Sequence, residues 1–298
     1  MKKDYFIIYN PISGNGKAKK NIKYIKSVLS NHQKSFQVQE TQYPKHAIEI
    51  CQKLNFQIYK QIIAIGGDGT FNEVINGILL NSSEQEKPAI GFITGGTGNS
   101  FMHDLNAINI KTALSNILKN RTKMIDIMQL KEDNKLHFSC NIVGWGLVTD
   151  ILKVSEKIRF IGGIRYNLAS LYCILLKKAR IANVVLDNKN EKKEYLFILS
   201  MNTIHTGKGM KAAPKALLDD GYVDVIIVEN NLSTLQLLLL MPKLFSGKHI
   251  QSKFVRYSHN KNIRIIPKED EILNIDGEMK GSTPIDIEVL PKRIKILW

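Results

Sequence analysis

The chain has 298 residues, 44% hydrophobic and 23% charged, a well-mixed globular composition long enough for two cores. Forty-two Lys and Arg against 27 Asp and Glu leave a formal charge of +15, which favours a polyanionic partner: nucleic acid, an anionic membrane surface or a phosphorylated ligand. Cys51, Cys140 and Cys173 lie far apart in apolar surroundings, which excludes a disulfide framework and a zinc site and points to buried thiols in a reducing compartment.

The segment from Met1 to Tyr9 enters a strand almost at once and leaves no room for a signal-peptide apolar region, so a cytoplasmic location is expected. Strands are predicted at Tyr5 to Tyr9, Ser35 to Gln39, Ile62 to Ile65 and Ala89 to Ile93. Helices are predicted at Lys17 to Ser30, Lys45 to Leu54 and Phe71 to Leu80; in the second, Ala47, Ile48, Ile50, Cys51 and Leu54 form one apolar stripe. The alternation predicts a doubly wound parallel α/β sheet with helices on both faces. Each strand opens a polar or glycine-rich loop: Asn10 to Gly16, Glu40-Thr41, Gly66 to Thr70 and Thr94 to Asn99. In an open α/β sheet such loops gather at the carboxyl edge, where ligands bind.

After Lys123 the pattern becomes that of alternating strands, at Met124 to Leu130, Leu196 to Met201, Val223 to Val228 and Ile285 to Leu290. This predicts an α/β lobe over residues 1–123 and a mostly antiparallel β lobe over residues 124–298. Two helical segments interrupt the second lobe. One runs from Gly162 to Lys178 with Leu168, Leu171, Tyr172, Leu175 and Leu176, the other from Leu232 to Phe245. They either cap the β core or wall a groove for acyl chains. The second is too short to span a bilayer, so no transmembrane segment is expected, while peripheral membrane contact stays open. Lysine runs such as Lys17 to Lys23 and Lys192-Lys193 are dispersed and read mostly as solvated faces; with no recognisable nucleic-acid module beside them, no nucleic-acid partner is expected.

The stretch Ile62 to Glu73 carries the most chemistry: a short apolar run breaks into three glycines around Asp68 and then becomes helical. Glycines let backbone N–H groups close on an anion, and a following helix start adds a favourable dipole. A carboxylate beside phosphates repels them unless a divalent cation or a substrate hydroxyl lies between, so Asp68 points to metal-assisted phosphoryl transfer. The bland alternative is an ordinary strand-to-helix turn. Spacing excludes two familiar phosphate loops. Gly16-Lys17 has Pro11 where a Walker A loop needs glycine, and both glycine clusters read Gly-Gly-x-Gly rather than G-x-G-x-x-G.

Four motifs together resemble the diacylglycerol kinase and sphingosine kinase family of lipid kinases. They are Asn10-Pro11, Gly66-Gly67-Asp68-Gly69-Thr70 with Asn72-Glu73, Gly95-Gly96-Thr97-Gly98-Asn99, and the distant Asp276-Gly277-Glu278. Their order and spacing match over nearly the whole chain, although the first glycine motif is shared with NAD kinases and phosphofructokinases. The resemblance implies a cleft between two lobes in which Asn10, Pro11, Ser13, Gly14, Thr41, Gly66, Gly67, Asp68, Gly69, Thr70, Asn72, Glu73 and Thr97 surround ATP. The segment Ser155 to Arg165 is similar to a sphingosine-kinase stretch whose two arginines reach ATP, which implies Arg159 and Arg165 as phosphate contacts. From the residues alone, two exposed arginines on a basic helix face are an equal alternative. The resemblance also implies a structural Mg²⁺ held by Asp220 and the carbonyls of Leu217 and Tyr222. Bacterial relatives often carry Asp where this chain has Ser100.

Phosphoryl transfer needs a base at the acceptor hydroxyl and a cation shielding the phosphates. Glu278 is assigned as proton acceptor and Asp68 to Mg²⁺·ATP or the attacking hydroxyl, with exchange of the two roles left open; Asp276 is a second-rank candidate. The expected protein is a kinase using ATP and Mg²⁺ on a hydroxyl of diacylglycerol or a sphingoid-like lipid. It is expected to work at an anionic membrane surface, with a homodimer as an open possibility. No counterpart stands out for the acidic residue that sphingosine kinases place near the lipid head; only Asp150 lies close in sequence. The alternatives are a kinase of a soluble acceptor such as NAD, and a catalytically silent nucleotide-binding, membrane-associated protein.

Overall fold

The computed structural model describes residues 2–83, 86–95, 100–207 and 209–298. The chain divides into two compact units, residues 1–127 with 292–298, and residues 128–291. The sequence had placed one division after Lys123; the structure divides the chain after Ile127 and returns its last seven residues to the first unit.

The first unit runs β1 (Lys3–Tyr9), α1 (Lys17–Asn31), β2 (Phe36–Glu40), α2 (His46–Lys53), β3 (Tyr59–Gly66), α3 (Asp68–Leu79), β4 (Ala89–Thr94), α4 (Ser100–Asp104) and α5 (Ile110–Lys119), and enters β5 (Thr122–Glu132). Its strands lie in the order β2-β1-β3-β4 and are all parallel, with Phe6 opposite both Gln37 and Ile62, and Ile62 opposite Ile90. Ile296 adds a parallel partner for Ile90. Ile62, Ile63, Ala64 and Ile65 are completely buried, as a strand covered on both faces requires. Helices α2 and α3 pack against each other across Gly77, where a Cβ would stand 2.6 Å from both the Cys51 Cβ and the Ile48 carbonyl oxygen.

One expected boundary moves in a way that matters. The sequence reading began the third helix at Phe71 and left Gly66 to Thr70 as a loop, but α3 begins at Asp68, with Gly67 as its extended N-cap and the Phe71 N–H bonded to the Gly67 carbonyl at 3.1 Å. Three of the five residues expected in the loop are therefore the first turn of a helix.

The second unit continues with β6 (Lys135–Ser139), β7 (Ile142–Gly146), α6 (Leu147–Lys157), a 3₁₀ turn (Arg159–Ile164), α7 (Arg165–Leu176), β8 (Arg180–Leu186) and β9 (Lys189–Met201). The short β10 (His205–Thr206) and β11 (Met210–Lys211), then β12 (Val223–Glu229), α8 (Thr234–Ser246), a 3₁₀ turn (Lys248–Gln251) and β13 (Val255–Asn260) follow. The unit closes with β14 (Asn262–Pro267), β15 (Ile272–Ile275), β16 (Glu278–Ser282) and β17 (Ile285–Leu297), whose last residues belong to the first unit. The antiparallel path is β16-β15-β7-β9-β8-β14-β17, with β12 joined to β9 and β13 to β12. Alternate residues serve opposite faces: Ile198, Val225 and Ile227 join Trp145, Ile263 and Ile287, while Leu199, Ile226 and Val228 join Cys173, Ile174, Leu237 and Leu240. The second face is thus the one covered by α7 and α8.

The architecture is an N-terminal α/β unit and a C-terminal antiparallel β-sandwich unit with helical insertions, as expected. The expected helix Gly162 to Lys178 is broken, because Gly162 sits at φ 70°, ψ −143°, so that α7 starts only at Arg165. Helix α6 was not expected at all.

Candidate functional site

In the first unit, all four strands point their carboxyl ends the same way, at Tyr9, Glu40, Gly66 and Thr94, so the four loops open at one edge. Three of them interlock through glycines. Gly14 has φ +61°, and a Cβ there would fall 1.6 Å from the Gly95 carbonyl oxygen. The Gly95 N–H in turn donates to the Gly66 carbonyl at 2.6 Å, and a Cβ on Gly66 would meet the Thr70 hydroxyl at 2.4 Å. Gly14 is thus required for the close approach of two loops, and Gly66 for the turn that brings Thr70 back over it, apart from any approach of an anion.

Around this junction the Asn10 amide donates to Thr70 Oγ1 at 3.4 Å, and its carbonyl oxygen accepts from the Ile12 N–H at 3.2 Å. Ser13 donates its N–H to the Asn10 carbonyl, and Thr41, buried, donates its N–H to the Tyr9 carbonyl at 2.9 Å. Pro11 lies in the same turn, and Gly67, Asp68, Gly69 and Thr70 form the entry to α3, where backbone donors lack partners within the helix and the dipole favours an anion. Asp68 Oδ2 accepts the Ser100 N–H at 3.1 Å, which ties the start of α4 to the start of α3. Asn72 is buried one turn further on. Thr97, with the rest of Gly96 to Asn99, lies outside the described residues.

Two nearby carboxylates are already committed. Glu73 accepts the N–H groups of Lys45, at 2.9 Å, and Ala47, at 3.2 Å, capping α2, whose own N-cap residue supplies no side-chain bond. Glu73, expected from the sequence to lie beside ATP, thus supports the start of α2. Glu40 accepts a short hydrogen bond from the Tyr9 phenol, and this bond, with some burial, pushes the Tyr9 hydroxyl up to about 12.

In the second unit, Asp276 and Gly277 have φ of 51° and 86° and join β15 to β16, Ile275 opposite Glu278, in the two-residue hairpin that Asp-Gly favours. Asp276 is buried. Its Oδ1 accepts the Ser139 hydroxyl at 2.6 Å and the N–H groups of Asn141, at 3.1 Å, and Ile142, at 2.9 Å, while Oδ2 accepts the Cys140 N–H at 3.3 Å. A carboxylate so engaged is a peg that holds the turn, which removes Asp276 from the candidate bases. Glu278 stands half exposed, 3.1 Å from Lys280 Nζ. The Ser139 to Ile142 loop was missed from sequence; its short polar residues between two strands were the only signal.

Arg165, largely buried, and Arg159, largely exposed, both turn to Glu156, at 3.1 and 3.6 Å; Arg165 also lies over the Tyr166 ring. Asp150 takes both oxygens to Arg180 NH2 at 2.8 Å, and Arg180 also grips Glu271 at 2.6 Å. Burial opposes the charge on Arg180, but these bonds outweigh it and raise its affinity for the proton. In the Leu217 to Tyr222 segment, Asp220 Oδ1 accepts the Tyr222 N–H at 3.0 Å around Gly221 at φ 79°. One carboxylate with two backbone carbonyls is an all-oxygen donor set, the kind a hydrated Mg²⁺ accepts. Among the described residues no group of three or more His, Cys, Asp or Glu could hold a metal.

Two family models match the chain. The diacylglycerol kinase catalytic domain matches residues 4–130, and the YegS C-terminal NAD kinase beta sandwich-like domain matches residues 141–298. The chain is similar to a diacylglycerol kinase of Staphylococcus aureus (strain bovine RF122 / ET3-1), 30% identical over 99% of this chain and 92% of the relative. It is also similar to sphingosine kinase 1 of Arabidopsis thaliana, 26% identical over 93% of this chain and 68% of the relative. A solved diacylglycerol kinase structure from Bacillus anthracis str. Sterne shares the fold, with a TM-score of 0.74 at 21% identity over 99% of this chain and 97% of that one. Matched by family models along both of its units and by a relative over nearly its full length, the chain belongs to the diacylglycerol kinase family.

Proposed function

We propose that the protein transfers the γ-phosphate of ATP to a hydroxyl of diacylglycerol or a related sphingoid-like lipid, working in the cytoplasm at a membrane surface. The observation that carries the reading is Asp68 at the first position of α3, among three interlocked glycine loops at the carboxyl edge of a parallel sheet. A helix start alone would bind an anion, and a carboxylate in that position needs a cation or a hydroxyl as its partner. Asn10, the loop from Pro11 to Gly14, Thr41, the Gly66 to Asn72 turn and Thr97 are proposed to hold the nucleotide. Arg159 and Arg165 would join them by exchanging Glu156 for phosphate oxygens.

In the transfer, the acceptor oxygen bonds to the γ-phosphorus as the bond to the β–γ bridging oxygen breaks and ADP leaves. Glu278, with its half-exposed carboxylate at the head of β16, takes the hydroxyl proton, and Asp68 orients the hydroxyl or the cation-bound phosphates. Mg²⁺, when bound, supplies neutralisation of the phosphate charge. A structural Mg²⁺ on Asp220 and the carbonyls of Leu217 and Tyr222 would brace the approach to β12.

The test is transfer of labelled γ-phosphate, with Mg²⁺, to diacylglycerol, monoacylglycerol, ceramide and sphingosine in mixed micelles, with NAD and no-acceptor controls. A labelled lipid, abolished in a folded Asp68→Asn variant, is the expected result. The likeness of residues 141–298 to an NAD kinase sandwich domain favours a second reading, phosphorylation of NAD. Labelled NADP without labelled lipid would establish it, and no product at all would leave a silent nucleotide-binding protein.

A further inference from the structure

In the first unit α2 and α3 pack against each other, but α1 and α5 stand apart and leave between them an open groove of about 590 Å³. One stripe of each helix lines it at helical spacing, with Tyr24, Val28 and His32 on the α1 side and Lys111, Leu114 and Leu118 on the α5 side. Leu114 is buried and Val28 and Leu118 are half-buried, which makes the floor aliphatic, while Tyr24 is 42% exposed. The exposed Lys111, Lys119 and His32 and the half-buried Lys34 form the rim.

The rim charges select the occupant. Among the described residues Lys34, Lys111 and Lys119 make no ion pair, whereas Lys60, Lys193 and Lys295 each hold a carboxylate. No Asp or Glu lines the groove, and none occurs from Tyr5 to Gln39 or from Leu105 to Ile125, the stretches that contain the two helices. Unpaired like charges gathered round an apolar trough repel one another and are relieved by an anionic partner. Their complement is an amphipathic helix that lays apolar anchors on the floor and sets carboxylates beside them against the rim. A planar bilayer does not reach the floor of a concave trough, and a single tyrosine is no stacking platform for nucleic acid. A second copy of the chain would set cations against cations across a two-fold axis. Nor does the chain offer the right helix, because α7 and α8, rich in exposed leucines, carry no Asp or Glu.

We propose that the groove between α1 and α5 docks an acidic amphipathic helix of a partner protein. Docking is measured with neither ATP nor acceptor, so it stands or falls apart from the kinase reading. The probe is a fluorescent helical peptide of about 15 residues, the length of α1, with leucines at every third or fourth position and glutamates beside them. One control scrambles the same residues, which keeps the charge and breaks the stripe; another replaces glutamate by glutamine. Anisotropy should give a Kd on the order of 1–100 μM, weakened by salt, and at least about tenfold weaker for either control. The double variant Lys111→Glu, Lys119→Glu alters two exposed side chains away from the glycine loops. With an unchanged thermal midpoint, it should bind the peptide at least about tenfold more weakly. Should the variant not fold, hydrogen exchange of the wild type decides, with slowing on peptide addition confined to α1 and α5. The proposal is overturned by absence of peptide binding, equal binding of the scrambled peptide, undiminished binding by the folded variant, or slowing elsewhere only. It is equally overturned if the variant weakens binding of oligothymidylate or phosphatidylglycerol vesicles, or splits a wild-type dimer, while peptide binding is unaffected.

Discussion

Asp276 takes the Ser139 hydroxyl and three backbone N–H groups, while Glu278, two residues on, stands half exposed beside Lys280. Removing the first carboxylate strands four buried donors, each costing roughly 1–3 kcal/mol, so Asp276→Ala should lower the unfolding free energy by about 3 kcal/mol or more. Glu278→Gln should change stability by less than about 0.5 kcal/mol. It should nonetheless reduce kcat by roughly 10²–10⁴, the range for a lost general base. Urea titration beside a kinase assay separates the two, and wild-type turnover in Glu278→Gln would remove it as proton acceptor. Residue identity made both carboxylates visible in the sequence, and so did the Asp-Gly turn. Their different fates depend on a loop more than 130 residues earlier in the chain, whose N–H groups no local pattern could aim at Asp276.

At the scale of elements, most strands and helices follow from periodicity, and the departures have local causes. Helix α3 starts three residues early because Gly67 serves as N-cap, and α7 starts late because Gly162 takes a conformation no helix accepts. Helix α6 escaped notice because its N-cap is Gly146, at φ 86°, with no side-chain cap to announce it. The end of α8 offers a test through pH. His249, buried on the 3₁₀ turn that follows α8, has Nε2 2.9 Å from the Ala212 carbonyl, and burial pulls its pKa below the ordinary 6.5. As pH falls below 6.5 the unfolded chain takes up this proton before the folded one, so stability should fall through the window between 6.5 and the lowered value, and be unaffected by this group above 6.5. Urea midpoints from about pH 5 to 8 should show that slope, and His249→Gln should flatten it. An unchanged slope in the variant would assign the effect to other groups.

At the scale of the whole molecule, the α/β unit is completed by residues from the far end of the chain. Ile294, Ile296 and Leu297 are buried, the Lys292 N–H donates to Asp126 Oδ1 at 2.7 Å, and the Trp298 N–H donates to the Arg121 carbonyl at 3.0 Å. Burying three such aliphatic side chains contributes roughly 4–9 kcal/mol, comparable with the total stability of about 5–15 kcal/mol for a domain. A chain ending at Pro291 should therefore lose the first unit, with rapid proteolysis confined to residues 1–127. Resistance equal to that of the full chain would refute this. The sequence by itself determined the class of each unit, the order of the glycine motifs and the carboxylates worth testing, because periodicity, turn chemistry and residue type are local properties. Only the tertiary structure decided that Glu73 caps a helix, that Gly14 lets its loop touch the carbonyl of Gly95, and that the last seven residues belong with the first 127. Each of those rests on contacts between residues distant in sequence, whose pairing is set by burial and packing of the whole chain rather than by any neighbour along it.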